Sequence, residues 1–158
     1  MDDRERLILL NCVPGIGSAQ IARLLEVFGS LAGIWRASEG HLIQAGRGPK
    51  TASRLVAFRA QARLAEQELA LARRFGCEIV TRLDPGFPDP LRQIPDPPLV
   101  IYRKGAWTRA DRTAVAIVGS RYASLYGRQM AERLAGELAV RGITVVSGLA
   151  RGIDAAAH

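Results

Sequence analysis

Ala114-Val115-Ala116-Ile117-Val118 runs into Gly119-Ser120-Arg121, with Ser124 and Gly127 close behind. Later Ile143-Thr144-Val145-Val146 runs into Ser147-Gly148 and then Ala150-Arg151-Gly152. In both places an apolar run of strand type breaks into glycine, a hydroxyl residue and arginine. The stretch between them, Leu125 to Arg141, reads as a helix, so the order is strand, glycine turn, helix, strand, glycine turn. A right-handed crossover makes the two strands parallel and neighbouring. Both turns then lie at the carboxyl edge, where open α/β sheets bind ligands. Two arginines and several bare amides converging there suit a phosphate.

The residues that are missing narrow the ligand. A dinucleotide fingerprint wants a second glycine where Arg121 stands and an acidic residue after the second strand, where Ser147-Gly148 follows instead. A Walker A loop needs Gly-Lys-Ser/Thr, and the chain has none. Arginine is a planar, permanently charged fork that grips phosphate oxygens from two sides, and small residues let the backbone approach closely. The pattern reads as a clamp for a phosphodiester or nucleotide phosphate.

At these residues the chain resembles the DNA-processing protein A family, DprA/Smf. Ile117 to Arg121, Ser124-Leu125-Tyr126-Gly127 and Val146 through Ala150-Arg151-Gly152-Ile153-Asp154 to His158 match the family signature nearly residue for residue. Asp84, Phe87-Pro88, Leu91, Asp96-Pro97-Pro98-Leu99, Tyr102 and Gly105 resemble its lead-in, with Phe87 where tyrosine is more usual. The resemblance implies a cytoplasmic, non-enzymatic protein that binds single-stranded DNA, protects incoming DNA and loads the RecA recombinase during natural transformation. It also implies that Gly119, Ser120, Arg121, Ser124, Gly148, Arg151 and Gly152 line the phosphate pocket. Arg121 and Arg151 would supply the charge, and the others hydroxyls and amides. No catalytic residue, metal or cofactor is expected, and a homodimer would form through chain beyond His158. The family fold has several more strands and often a winged helix, so the expectation is an N-terminal segment of a longer protein.

Composition agrees with that class. The chain has 158 residues, 48% hydrophobic and 23% charged, which excludes disordered and collagen-like classes. No apolar run approaches the roughly 18 residues that span a bilayer, and Met1-Asp2-Asp3-Arg4-Glu5 is unlike a signal peptide, so a cytosolic protein without membrane contact is expected. Cys12 and Cys77 have no C-x-x-C or histidine pair nearby and read as buried thiols. A net charge of +7 favours a polyanionic partner. Residues 106–158 carry net +3 with no dense basic tail, so a folded surface does the binding.

The first half reads helical. Arg4 to Leu10 is apolar-periodic, Ser18 can cap Ala19 to Phe28 with Gly29 ending it, and Ser38 can start a helix through Ile43. Leu55, Phe58, Ala62, Ala65, Leu69 and Ala72 predict one long helix from Thr51 to Phe75, its stripe packed on the preceding helices. Cys77–Thr81 and Leu99–Tyr102 read as short strands. Between Arg82 and Pro98 stand six of the chain's eight prolines, predicting a rigid connector without regular structure. The expected fold class is α/β. A helical SAM-like or helix-hairpin-helix domain covers 1–80, a proline-rich connector with short strands 81–105, and the first β-α-β unit of a Rossmann-like DNA-binding domain 106–158.

Several motifs carry two readings. Val13-Pro14-Gly15-Ile16-Gly17, echoed by Ala45-Gly46-Arg47-Gly48-Pro49-Lys50, fits a hairpin whose amides face a phosphate, or a tight turn needed for packing. The first hairpin lacks a flanking cation, whereas Arg47 and Lys50 supply one at the second. Asp154 reads as a helix cap or arginine partner before a catalytic group, and His158, one turn on, as structural. Tyr122 and Tyr126 flank the first turn and either stack on a base or cover the sheet. Two rival functions follow. One is a Rossmann-like nucleoside-monophosphate-cleaving enzyme, which needs a glutamate-bearing motif later in the chain. The other is a non-specific DNA-junction module resting on the first hairpin, in which residues 1–80 bind DNA unaided.

Overall fold

Helix α1 (Asp3–Cys12) starts with a reciprocal cap: the Asp2 carboxylate accepts from the Glu5 amide at 2.7 Å and the Glu5 carboxylate from the Asp2 amide at 2.9 Å. It buries Leu7, Ile8, Leu9 and Leu10 in succession, a run that covers most of its circumference. A helical stretch apolar all round belongs at the centre of a core, and α1 packs against helices Leu31–Arg36, Pro49–Arg59 and Arg63–Arg74 and strands Glu78–Thr81 and Val100–Arg103. The computed structural model describes residues 1–61 and 63–158. The chain divides into two units, Met1–Gly105 and Ala106–His158.

In the first unit α2 (Ser18–Phe28) ends on left-handed Gly29, and α3 (Leu31–Arg36) and α4 (Glu39–Gln44) are capped by Ser30 and Ser38. The cap of α2 is Gly17 and not Ser18, whose hydroxyl donates to Asp96 at 2.5 Å. The long helix expected over Thr51 to Phe75 is two, α5 (Pro49–Arg59) and α6 (Arg63–Arg74). A straight helix over that stretch would run about 37 Å and carry one end off the core. Instead the ladder tightens at Ala60 and Gln61, which donate to Ala57 and Phe58, and both halves pack on α1. Arg59 pins the break by donating to the Ile34 carbonyl at 2.9 Å and the Ala37 carbonyl at 2.5 Å. Leu55, Ala65 and Ala72 of the predicted stripe are buried, and Ala62 lies outside the described residues. Cys12 and Cys77 are half-buried free thiols; burial and then the nearby Glu68 carboxylate push Cys12 up, which keeps it protonated.

Strands β1 (Glu78–Thr81) and β2 (Val100–Arg103) pair antiparallel, Glu78 opposite Arg103 and Thr81 opposite Val100. The proline-rich stretch is thus the connection between two strands of the first unit, not a link between units. Nor is it free of regular structure. One helical turn, α7 (Asp89–Arg92), forms with Pro90 at its second position, where a missing N–H breaks no ladder bond. Asp84 fixes the stretch: it accepts from the Thr81 amide at 2.7 Å, the Thr81 hydroxyl at 3.1 Å and Arg4 Nε at 3.1 Å. Arg4 also donates to the Ile79 carbonyl at 2.7 Å, and buried Phe87 packs beneath the Arg92 guanidinium. Burial pushes the Asp84 carboxyl up, but the Thr81 amide, the Arg4 guanidinium and the Thr81 hydroxyl together hold it below its ordinary value.

The second unit runs through a 3₁₀ turn (Arg109–Arg112), β3 (Ala114–Ala116), α8 (Leu125–Val140), β4 (Thr144–Val146) and α9 (Ile153–Ala156). Strands β3 and β4 are parallel neighbours with Ala114 opposite Thr144 and Ala116 opposite Val146, and the Ile117 amide extends the ladder to the Val146 carbonyl. The fold is α/β, with both glycine turns at the carboxyl ends of β3 and β4.

Candidate nucleic-acid interface

The turn after β3 and the turn after β4 are in direct contact. Ser147 donates its hydroxyl to the Ile117 carbonyl at 2.7 Å, and the Ile153 amide donates to the Ser120 carbonyl at 3.2 Å. Gly152, with φ +94, lies so close to the first turn that a Cβ there would fall 2.1 Å from the Ser120 carbonyl oxygen and 3.0 Å from the Arg121 Cα. At Gly119 a Cβ would meet Ile153 at 2.7 Å. Only glycine permits this approach.

Asp154 holds the junction. Its side chain is buried, one oxygen accepting from the Gly119 amide at 3.0 Å and the other from the Gly148 amide at 3.2 Å. One carboxylate thereby ties together the glycines that end the two strands. The Gly119 and Gly148 amides, expected to face a phosphate, are turned toward Asp154 instead. These glycines serve close packing, as does Gly152. Asp154 itself is neither an N-cap nor an arginine partner among the described residues. His158 lies past the end of α9, its Nε2 3.5 Å from the Ser147 carbonyl oxygen.

Arg121 and Arg151, exposed on the two turns, are the cations the junction brings near each other; among the described residues neither makes an ion pair or a side-chain hydrogen bond. The Arg151 guanidinium stands over the Tyr122 ring, 5.8 Å from its centroid. Ser120 accepts from the Tyr122 amide at 3.1 Å, and Ser124, the N-cap of α8, accepts from the Gly127 amide at 3.1 Å. Both hydroxyls keep a proton to donate. The first amides of α8, at Leu125 and Tyr126, precede the helix ladder and leave donors at its positive end. Two guanidinium forks, two hydroxyls and a helix N-terminus on one edge can hold an anion of phosphate geometry. Sequence reasoning found the arginines and missed the staple; the signal lay in Asp154 directly following Gly152-Ile153.

The first hairpin of the first unit differs from its reading in two respects. Arg54 of α5 donates to the Pro14 carbonyl at 3.4 Å, so the first hairpin has a cation from a distant helix. It also has Asp96 against Ser18, which places a carboxylate at the start of α2.

A parallel β-α-β unit with two coupled glycine–arginine turns at its carboxyl edge, on a chain with a helical first unit, defines an α/β protein. The family model for DNA recombination-mediator protein A matches residues 78–158, half of the chain, and the chain belongs to this family. It is similar to Protein Smf of Synechocystis sp., 32% identical over 92% of this chain and 38% of that protein. DNA processing protein DprA of Bacillus subtilis is 36% identical over 57% of this chain and 31% of its own length. DNA processing protein DprA of Streptococcus pneumoniae is 40% identical over 48% of this chain and 27% of its own length. The chain thus spans well under half the length of these relatives. A crystal structure of the Streptococcus pneumoniae protein superimposes with a TM-score of 0.59 and 24% identity, over 100% of this chain and 53% of that one, a likeness of fold. Among the described residues no helix is long and apolar enough to cross a membrane.

Proposed function

We propose that this chain carries a single-stranded DNA-binding site of a DNA-processing protein, which protects incoming strands and loads the RecA recombinase without itself catalysing a reaction. The carrying observation is the packing of Gly152 on Ser120 and Arg121, which sets Arg121 and Arg151 on touching turns, exposed and without an ion pair among the described residues. Ser120, Ser124 and the first amides of α8 add neutral donors to the phosphate oxygens. Binding through phosphates is blind to sequence, which suits a protein that must coat any incoming strand.

Titration of a labelled oligonucleotide with the full-length protein tests the reading. Each charge-assisted arginine contact is worth roughly 1.5 to 3 kcal/mol, so Arg121→Ala and Arg151→Ala should each weaken binding about ten- to a hundredfold. Lysine keeps the charge but loses the fork and should recover only part. The double variant should lose less than the sum if both groups grip one phosphate. With about five phosphates neutralised, affinity should fall roughly a hundredfold between 50 and 200 mM salt. Unchanged affinity in both single variants, with unchanged melting, would remove the proposal.

A further inference from the structure

Beside the arginines the same edge exposes an apolar surface that a phosphate does not need. Tyr122 is 87% exposed, Tyr126 72% and Leu149 66%. Leu149 is the one non-glycine residue with positive φ among those described, at +54. A left-handed leucine is strained, and here the strain accompanies a side chain left in solvent, with no burial to offset it. Tyr122 is not loose in spite of its exposure. Its amide donates to Ser120 Oγ at 3.1 Å, and the Arg151 guanidinium stands over its ring, 5.8 Å from the centroid. A guanidinium over a ring still has N–H groups to give to phosphate oxygens.

We propose that Tyr122, steadied by Arg151, is a stacking platform for an unpaired nucleobase, with Leu149 as an apolar neighbour two residues before Arg151. A strand whose phosphate is held by Arg121 and Arg151 places the adjoining base within reach of the ring. Every base has a π-face, so such a platform selects single strands without selecting a sequence. In a duplex both faces of a base are covered by its neighbours and the platform has nothing to hold. The occupant is a base of single-stranded nucleic acid, and the inference rests on the phosphate reading of the same turns.

The test uses the full-length protein and two probes of equal length and charge, oligothymidylate and an abasic oligodeoxynucleotide. The wild type should prefer oligothymidylate. Tyr122→Ala should lower affinity for oligothymidylate about 5- to 100-fold and leave the abasic probe unchanged, so that the preference collapses. Tyr122→Phe should retain the preference, because the ring and not the hydroxyl stacks. Tyr122→Leu should lose most of it while keeping apolar bulk in the turn, which guards against a loosened alanine variant. Arg121→Ala should weaken both probes by similar factors. If Tyr122→Ala and Tyr122→Leu change neither probe, or both equally, the platform is overturned whatever Arg121→Ala does. If Arg121→Ala changes neither probe and Arg151→Ala leaves the abasic probe unchanged, while the tyrosine variants still act only on oligothymidylate, the phosphate reading falls and the platform stands.

Discussion

Helix α1 buries four residues in a row, Leu7 to Leu10, whereas α8, with sixteen residues, buries only Ala131 and Ala135. The contrast extends through both units. The first has a continuous apolar core joining Ile21, Leu24, Ile34, Leu42 and Leu55 to Ile79 and Val100. In the second, Val115, Val118, Leu134, Val140 and Val146 are exposed, and the only other buried residues described are Ala157 and Asp154. Burial of apolar surface holds the helical unit. What fixes the geometry of the second is a short ladder, glycine contacts closer than any Cβ allows, and one buried carboxylate, all of it concentrated at the two turns.

The largest effect that separates the units is folding itself. A peptide of residues 1–105 should unfold cooperatively on heating, whereas residues 106–158 alone should not, because a two-stranded parallel sheet needs both faces covered. A cooperative transition in circular dichroism from the second peptide would erase the contrast. Next come single side chains. Leu10→Ala or Leu55→Ala, at fully buried positions, should cost about 2 to 5 kcal/mol in denaturant unfolding. Exposed Val118→Ala should stay within about 0.5 kcal/mol.

Two glycines give a finer comparison. Gly76 has φ +66 with open space around its missing side chain, so Gly76→Ala should cost about 1 kcal/mol and leave oligonucleotide binding alone. Gly152→Ala adds a collision with the Ser120 carbonyl and should part the two turns, lowering oligonucleotide affinity about tenfold or more. Equal affinities in the two variants would show that contact between the turns does not matter to binding. An effect of similar size to that of Gly76→Ala belongs to Asp84, whose carboxyl is held below its ordinary value in the folded chain. That contribution is present above the unfolded carboxylate pKa of about 3.9 and is lost as pH falls through the lower folded value. Asp84→Asn should remove about 1 kcal/mol at neutral pH, and the difference from wild type should shrink below about pH 4. A difference that persists unchanged in acid would mean that the latch does not depend on charge.

The β-α-β order and its edge were legible because glycine, hydroxyl and arginine recur after two apolar runs, and parallel pairing follows from the intervening helix. The destination of the glycine amides was not legible. Whether Gly119 donates to a phosphate or to Asp154 depends on where α9 docks, and the two residues lie 35 positions apart. The break between α5 and α6 was hidden for another reason. Arg59-Ala60-Gln61 contains no proline or glycine, and what pins it is a bond from Arg59 to the end of α3, a helix that was itself unread. The Ser30 cap before Leu31 was a usable sign of that helix. In the proline-rich stretch, the density of prolines hid the single turn of α7 and said nothing of its anchorage, which rests on Arg4, 80 residues upstream.

That anchorage has a consequence for synthesis. Helix α1 is translated before the rest of its unit, yet its partners include β1 and β2, the latter ending at Arg103. At about 5 to 20 residues per second, roughly 5 to 20 seconds pass between translation of Leu10 and of Arg103. During that interval Leu7 to Leu10 form an adhesive segment lacking its final neighbours. Slowing translation within the proline-rich stretch would lengthen the interval in which these residues stay uncovered.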